Sequence, residues 1–492
     1  MGVDEGFVSY QSFLLFRDKF GKKAEIKIYK DVLRGLLEYS DATCCYREKK
    51  ISLIRVLPSK YLDFSVSDRI RLIRENMLTE GANAFFSGKL DANMWLMGIR
   101  GNDIEYNPYA FSYILITGPD AFLMVYKDAV TEELKKHCAA NGVVIRPYDD
   151  VLELLREYCA NSKVASSFDS LKAYLVEKTK DCGISWADSD CGLALKQAVK
   201  SEAEIIALKE IYQKDSAAVC KFLYWLSRQE AGTVTEYQAA EKMNELRGEI
   251  SSFQELSFST IAAYGSNAAM MHYEPDEDHP VYLEKGNVFL LDSGGQYDGG
   301  TTDVTRTVAV GKVSEEIRSD YTAVIKGMLA LQNAYFMYGC TGMNLDILAR
   351  APSWEKNMNY NCGTGHGICF MLGVHEGPQA IRTKGTKPAS ETPFMAGMLV
   401  SDEPGIYKEG KYGIRVENVL LCREASRSEE GIFMKFEPLT FVPLDSNLIC
   451  RNELSEKELK QIQDYQELVC EKMKNELSQE EFDWLVTYAK II

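Results

Sequence analysis

The chain has 492 residues, too many for one simple core, so two or three domains are expected. Its composition, 46% hydrophobic and 26% charged, is that of an ordinary soluble globular protein, and no uninterrupted apolar run approaches membrane-spanning length. A net charge of −16 argues against nucleic acid or an anionic membrane as the main partner. The acidic start MGVDEGF lacks the basic and apolar parts of a signal peptide, and Gly6 stands where a myristoylation motif wants Ser or Thr. Thirteen cysteines, an odd number without a CxxC pair, fit free thiols in a reducing compartment. The expected location is the cytoplasm.

Residues 1–60 mix apolar clusters with charge and read as a helix with flanking strands, too short for a core of its own. From Ser67 an α/β alternation sets in: helix SDRIRLIRENML, strand NAFFS, the apolar LDANMWLMG, then an aromatic hairpin over Phe111–Tyr126 turning at Thr117-Gly118-Pro119-Asp120. Helix TEELKKHCAANG, strand VVIRP and helix DDVLELLREYC follow. Ser201 with Glu204 forms a capping box for a long helix, and Thr233 with Glu236 is expected to cap the next. Strands are expected in LSFSTIAAYG and Val281–Leu291, then helices over Ser314–Phe336 and about Leu345–Glu355. Glycine-rich strands return in CGTGHGICFMLGVHEGP, AGMLVSDEPGIY and YGIRVENVLL. The tail from Glu453 reads as a charged amphipathic helical segment on the surface or at an oligomer contact.

The stretch LLDSGGQYDGGTTDVTRT (Leu290–Thr307) reads as two strands joined by a glycine-rich reversal. Asp292 and Asp303 can then point at one place from neighbouring strands, where they repel each other unless a cation lies between them. Taken alone, the two aspartates are equally well read as Asx turn caps. Four of the five histidines, His272, His279, His366 and His375, fall in the same region. His279, in PDEDHP, reads as a solvated loop residue. His366 sits in Gly363-Thr364-Gly365-His366-Gly367, where glycines leave the imidazole uncovered. Glu403 lies at a turn in SDEPG, and Glu417 on an apolar strand where a carboxylate must be paired or bound to a cation. Four carboxylates and an imidazole, with no thiolate, suit hard or borderline divalent cations such as Mn²⁺, and two ions rather than one. Cys362 and Cys369 flank His366, so a thiolate–histidine pair is a minor alternative.

DSGGQYDGGTTDVTRT, GTGHG…VHEGP, DEPGIY and GIRVENV together resemble the aminopeptidase P family, Xaa-Pro aminopeptidases of the pita-bread metallopeptidase fold. LMGIRGNDIEYNP, ARAPSW and KFEPLTFVPL resemble its eukaryotic cytosolic branch. The resemblance implies an α/β (α+β) chain of three parts: a truncated remnant at 1–61, a creatinase-like α/β domain at 62–194, and a pita-bread catalytic domain with a helical tail at 195–492. It implies a homodimer and removal of the N-terminal residue from peptides with proline second, by a hydroxide held between two divalent ions, usually Mn²⁺. Proline lacks the N–H and fixes its own φ, so such bonds need a specialist. Carried over, Asp292 and Asp303 bind one ion with Asp303 bridging, His366 and Glu403 hold the second, and Glu417 bridges. His375, Glu403 and His272 are the catalytic residues implied, and His272, His366, His375, Glu403 and Arg415 the substrate-binding ones. His375 lies beside the developing oxyanion, Glu403 carries the proton, and Arg415 braces the carboxylates. The chain departs from the family pattern at Cys362, where histidine is usual, and at Cys369, where glycine is. A prolidase cutting only Xaa-Pro dipeptides, a methionine aminopeptidase, and a metal-binding scaffold without peptidase activity are the alternatives.

Overall fold

The computed structural model describes residues 2–490 except 5, 7, 22, 30–49, 386–388 and 390. The chain divides into two compact units, Met1–Gln197 and Ala198–Ile492. Strands are numbered along the chain.

In the first unit, β1 (Gly2–Asp4) and β2 (Lys27–Tyr29) pair in parallel around helix Tyr10–Phe20, while most of EIKIYKDVLRGLLEY, where the sequence suggests a helix with flanking strands, lies outside the described residues. That helix buries no side chain fully; Tyr10 meets Phe168 edge-on at 4.8 Å between ring centroids. Short strands β3 (Arg55–Val56) and β5 (Ile99–Arg100) pair with each other. The centre of the unit is a six-stranded sheet in the order β10-β9-β4-β6-β7-β8. It comprises β4 (Ala84–Ser87), β6 (Ser112–Thr117), β7 (Ala121–Val125), β8 (Val144–Pro147), β9 (Lys163–Ser166) and β10 (Ser185–Asp188). Every residue of β4, β6 and β7 is buried, which is why these strands read as continuous apolar runs rather than alternating ones. The hairpin turns at residues 118–120, as expected. The apolar LDANMWLMG becomes helix Leu90–Met97, stopped by Gly98 in the left-handed region that glycine tolerates best.

In the second unit the capping box of Ser201 and Glu204 opens helix Glu202–Ser227, as expected. The next helix, Glu236–Gly248, starts one box later than expected. Thr235 and Gln238 cap it, because TVTEYQ contains two overlapping boxes and the Glu236 side chain is turned inward to other partners. Strand β11 (Phe253–Leu256) is followed by β12 (Ile261–Tyr264) and β13 (Asn287–Ser293). The strand expected from Val281 begins only at Asn287, after a turn at Gly286 with φ 106°. Between β13 and β16 (Val304–Val310) the chain does not reverse tightly. It makes β14 (Gly295–Tyr297) and β15 (Gly300–Thr301), which join β11 in a second small sheet. Helix Glu315–Gln332 ends short of Phe336, which belongs to β17 (Tyr335–Met337), and helix Gly342–Glu355 follows. Strands β18 (Gly365–Gly367) and β19 (Glu376–Ile381) pair, as do β21 (Gly405–Lys408) and β22 (Tyr412–Arg415). Strands β20 (Leu399–Asp402), β23 (Asn418–Ser428) and β24 (Gly431–Pro438) join β17 in the order β17-β24-β23-β20.

Two expectations fail here. Glu417 does not lie within a strand; it occupies the break between β22 and β23. Nor is the tail a surface appendage. Helices Glu456–Met473 and Gln479–Tyr488 bury Ile462, Tyr465, Val469, Met473 and Leu485 in a core shared with Val324, Ile414 and Leu444. The amphipathic helical character is as expected; its apolar stripe packs on this unit's own core. Among the described residues no helix is long and apolar enough to cross a membrane.

Candidate metal centre

Antiparallel register builds the first wall of the site. Pairing of β13 with β16 sets Asp292 opposite Thr305, and Asp303 lies two residues before Thr305, on the same side by the period of two. The second wall is β18, which carries His366. A Cβ on Gly365 would fall 1.9 Å from the Ser401 carbonyl oxygen, and one on Gly367 2.6 Å from that of Glu376, so only glycines let this strand come so close. Glu403 sits at the bend between β20 and β21, its N–H donating to the Thr364 carbonyl at 2.8 Å. Glu417 is pinned likewise, its N–H donating to the Thr305 carbonyl at 3.0 Å.

All five residues expected as ligands face one cavity of about 340 Å³. Ligand atoms of Asp303, His366 and Glu417 lie within 4.8 Å of one another. His366 Nε2 is 3.5 Å from Asp303 Oδ2 and 3.3 Å from Glu403 Oε1. Two of the carboxylates are tied on one side and open on the other. Asp292 Oδ2 accepts from Arg415 Nη2 while Oδ1 is buried without a partner; Glu417 Oε2 accepts from Thr305 Oγ1 at 2.7 Å while Oε1 is buried without one. Glu403 Oε1 accepts from Ser401 Oγ at 2.9 Å. The His366 ring donates from Nδ1 to the Gly367 carbonyl at 3.0 Å, because a carbonyl can only accept; Nε2 therefore turns a lone pair toward the carboxylates. Lone pairs facing lone pairs, with unpartnered buried carboxylate oxygens, is the donor set of a divalent-cation site.

The proton affinities agree. Burial, then the charges of Glu417, Asp292 and Glu403, pushes the Asp303 carboxyl far above the usual range. Burial and neighbouring carboxylates do the same for Glu417, and burial raises Glu403 to about 7. Burial lowers His366, keeping the imidazole neutral and ready to ligate. Cations would reverse the carboxylate shifts by stabilising the ionised forms.

The remaining expected residues converge on the same cavity. His272, His375 and Arg415 line it. The His375 ring lies 4.2 Å from that of His366, and burial pulls its pKa down to about 4, so it is neutral at pH 7. Arg415 also donates to Thr305 Oγ1 at 3.2 Å and Tyr407 Oη at 3.1 Å. Cys362 lines the cavity, but burial pushes its thiol up to about 11, which disfavours a thiolate at that position. Cys369 is buried, its thiol 3.9 Å from the His375 carbonyl. His279 is exposed and bonded to Asp276, as a loop residue. Neither aspartate is a turn cap. Sequence reading missed Thr305, Ser401, Tyr407 and Arg382. The first two stand two residues from Asp303 and Glu403, so strand alternation could have found them; nothing in the sequence singles out the others. A second cavity, about 480 Å³ between Leu223, Leu283, Val308 and Tyr488, contains none of these groups.

Comparison with known proteins gives the same reading of the fold. Residues 207–424 match metallopeptidase family M24, 47–204 the creatinase/prolidase N-terminal domain, and 432–492 the C-terminal region of the M24 peptidases. The chain is 36% identical to a probable Xaa-Pro aminopeptidase P of Metarhizium robertsii, over 84% of its own length and 69% of the relative's. It is 34% identical to aminopeptidase P1 of Arabidopsis thaliana, over 89% of its length and 75% of the relative's. The crystal structure of X-prolyl aminopeptidase from Caenorhabditis elegans, described as a cytosolic enzyme with a dinuclear active site, matches all of this chain and 80% of that one, with a TM-score of 0.90 and 28% identity. An Xaa-Pro dipeptidase from Bacillus anthracis, 24% identical with a TM-score of 0.62, shares the fold over 77% of the chain. A creatinase-like α/β domain followed by a pita-bread domain is thus the architecture, as the sequence suggested. The chain belongs to metallopeptidase family M24 and, within it, to the Xaa-Pro aminopeptidase P family.

Proposed function

We propose that this chain is an Xaa-Pro aminopeptidase that uses two divalent ions, Mn²⁺ by preference, held by Asp292, Asp303, His366, Glu403 and Glu417. The observation that carries the reading is charge: four carboxylates and a neutral imidazole face one cavity, and Arg415 is the one cation paired with them among the described residues. Ions bound there would supply Lewis-acid activation of water and of the scissile carbonyl. The chain's own groups do the rest. Glu403, with a carboxyl raised to about 7, is suited to take a proton from the attacking water and give it to the departing proline nitrogen. Ser401 holds its other state in place by donating to Oε1. His375, neutral, donates an N–H to the oxyanion that develops at the scissile carbonyl, a contribution of about 3–4 kcal/mol where such donors have been removed elsewhere. His272 contacts the peptide from the same cavity wall, and Arg415 fixes Asp292 and so the end that receives the substrate's amine.

The cytosolic description of the Caenorhabditis elegans enzyme and the free thiols among the described residues support a cytoplasmic enzyme. A run of exposed large apolar side chains between residues 335 and 354, including Tyr335, Met337, Tyr338, Ile347 and Trp354, supports a homodimer. The first unit is best read as the creatinase-like domain, with its core in 62–194 and residues 1–61 part of the same unit, and 195–492 as the catalytic domain with its tail. Mn²⁺-loaded protein should release the first residue from Xaa-Pro-Xaa tripeptides and leave Xaa-Ala-Xaa intact. Cleavage of Xaa-Pro dipeptides alone would make it a prolidase instead.

A further inference from the structure

His375 is open to the cavity of the metal centre, and the residue after it faces the other way. The Glu376 carboxylate accepts from Lys200 Nζ, and each of these two side chains is only 1% exposed. Consecutive residues of a strand point to opposite faces, so whatever holds Glu376 on the inner face holds His375 on the cavity face. The strand ladder is poorly suited to that task. His366 pairs with Ala380, the next residue, Gly367, pairs with Glu376, and residues 377–379 are skipped. A single pairing beyond such an irregularity sets the register of residues 375 and 376 loosely. A slip of one residue would turn His375 inward and bring Glu376 among the metal-site carboxylates. The Cys369 thiol, 3.9 Å from the His375 carbonyl, is a weak tie.

Lys200 is anchored independently of β19. It stands just before Ser201, the cap of helix Glu202–Ser227. Its N–H donates to the Gly397 carbonyl at 3.0 Å, and its neighbour Val199 bridges to Met398, at the entry to β20. Its Nζ also donates to the Ala198 carbonyl at 3.3 Å. Stability alone does not account for a pair of charges placed here. Desolvation costs two buried ions about what their attraction returns, and an apolar pair of similar volume is commonly as stable. An ion pair differs from an apolar one in direction, because the carboxylate must meet its cation. We propose that Lys200 and Glu376 are positioning residues whose ion pair fixes the register of β19 at its start, and so keeps the His375 imidazole in the cavity where its N–H meets the developing oxyanion. The assignment rests on the peptidase reading above and adds what aims its oxyanion donor.

The test replaces the pair by apolar side chains, K200M/E376L, in the Mn²⁺-loaded full chain. No unpaired charge is left behind, so the variant should fold with its Tm and Mn²⁺ stoichiometry unchanged. Its kcat on Arg-Pro-Pro should fall about ten- to hundred-fold with KM within about two-fold, since a misaimed donor weakens the transition state rather than binding. In an H375A background the same two substitutions should cost less than about two-fold more, because nothing remains to be aimed. A kcat within about two-fold of the unsubstituted protein would overturn the proposal, as would a loss that multiplies in full with that of H375A. If K200M/E376L does not fold, E376D decides. It keeps the charge and shortens its reach, so kcat should fall with metal content intact, and an unchanged kcat would overturn the pair's role. If the unsubstituted protein cleaves no Xaa-Pro peptide, the peptidase reading is what fails. The crystal structure of whichever variant folds then decides for the pair on its own: His375 turned out of the cavity supports it, and His375 still against His366 overturns it.

Discussion

The five proposed ligand residues are individually ordinary and chemically extreme together. In the absence of cations the protein must hold Asp303 and Glu417 protonated well above the usual carboxylate range, and Glu403 at about 7. A carboxyl whose folded pKa is raised leaves stability whole below its unfolded value near ~4 and removes it as pH rises through the folded one. Stripped protein should therefore lose Tm between about pH 5 and about pH 8, and Mn²⁺-loaded protein should not, because the ions pair with the ionised forms. The gap between the two Tm values widens with pH; a constant or narrowing gap would contradict the site. Cys362 is the other residue-scale departure. A neutral thiol is a weak donor, where the family's usual histidine could bond the peptide. Cys362→His should raise kcat/KM on an Xaa-Pro-Xaa peptide roughly two- to twelve-fold, the worth of one neutral hydrogen bond. A fall with metal content unchanged would mean that the thiol is fitted to neighbours such as Cys369. At this scale the sequence was generous: glycine around His366 and a carboxylate among apolar residues are visible in one line. Arg382 was not, because a basic residue after a strand looks the same whether or not it faces a cavity.

Between elements, Arg306 joins the metal wall to the tail. Its buried guanidinium donates to the Glu417 carbonyl at 2.5 Å, to Asn418 Oδ1 at 2.7 Å and to Tyr465 Oη at 2.8 Å. Tyr465 in turn bonds the Val442 carbonyl at 2.9 Å from helix Glu456–Met473. The tail thus supports the break between β22 and β23 where Glu417 sits. Tyr465→Phe should destabilise the protein by about 1–3 kcal/mol, the cost of leaving such partners short, as read from the denaturant midpoint. A loss below about 0.5 kcal/mol would mean that the Tyr465 hydroxyl does not support the break at Glu417. Helices were legible because capping boxes and 3.6-residue spacing are local. The extra β14–β15 pair, the late start of β13 and the break at Glu417 were not, because strand limits are set by partners distant in sequence: Thr305 decides where Glu417 can lie.

For the whole molecule, the exposed apolar run from Tyr335 to Trp354 gives the proposed homodimer a specific surface. Light scattering should give twice the chain mass, and Ile347→Glu, at a position 44% exposed, should give the monomer mass without changing metal content. A monomer in the unsubstituted protein would assign that surface another role. The broad class was legible from length and charge. The family was legible from motifs in order. The convergence of Asp292, Asp303, His366, Glu403 and Glu417 needed the fold, since they span 126 positions from first to last (417 − 292 + 1). The direct measurement of the account is a titration: metal-stripped protein receives Mn²⁺ while release of arginine from Arg-Pro-Pro is followed. Release should be absent with chelator, rise with added metal and level off at two equivalents per chain. Release that persists in chelator, or none at any Mn²⁺ concentration, would contradict a two-metal Xaa-Pro aminopeptidase.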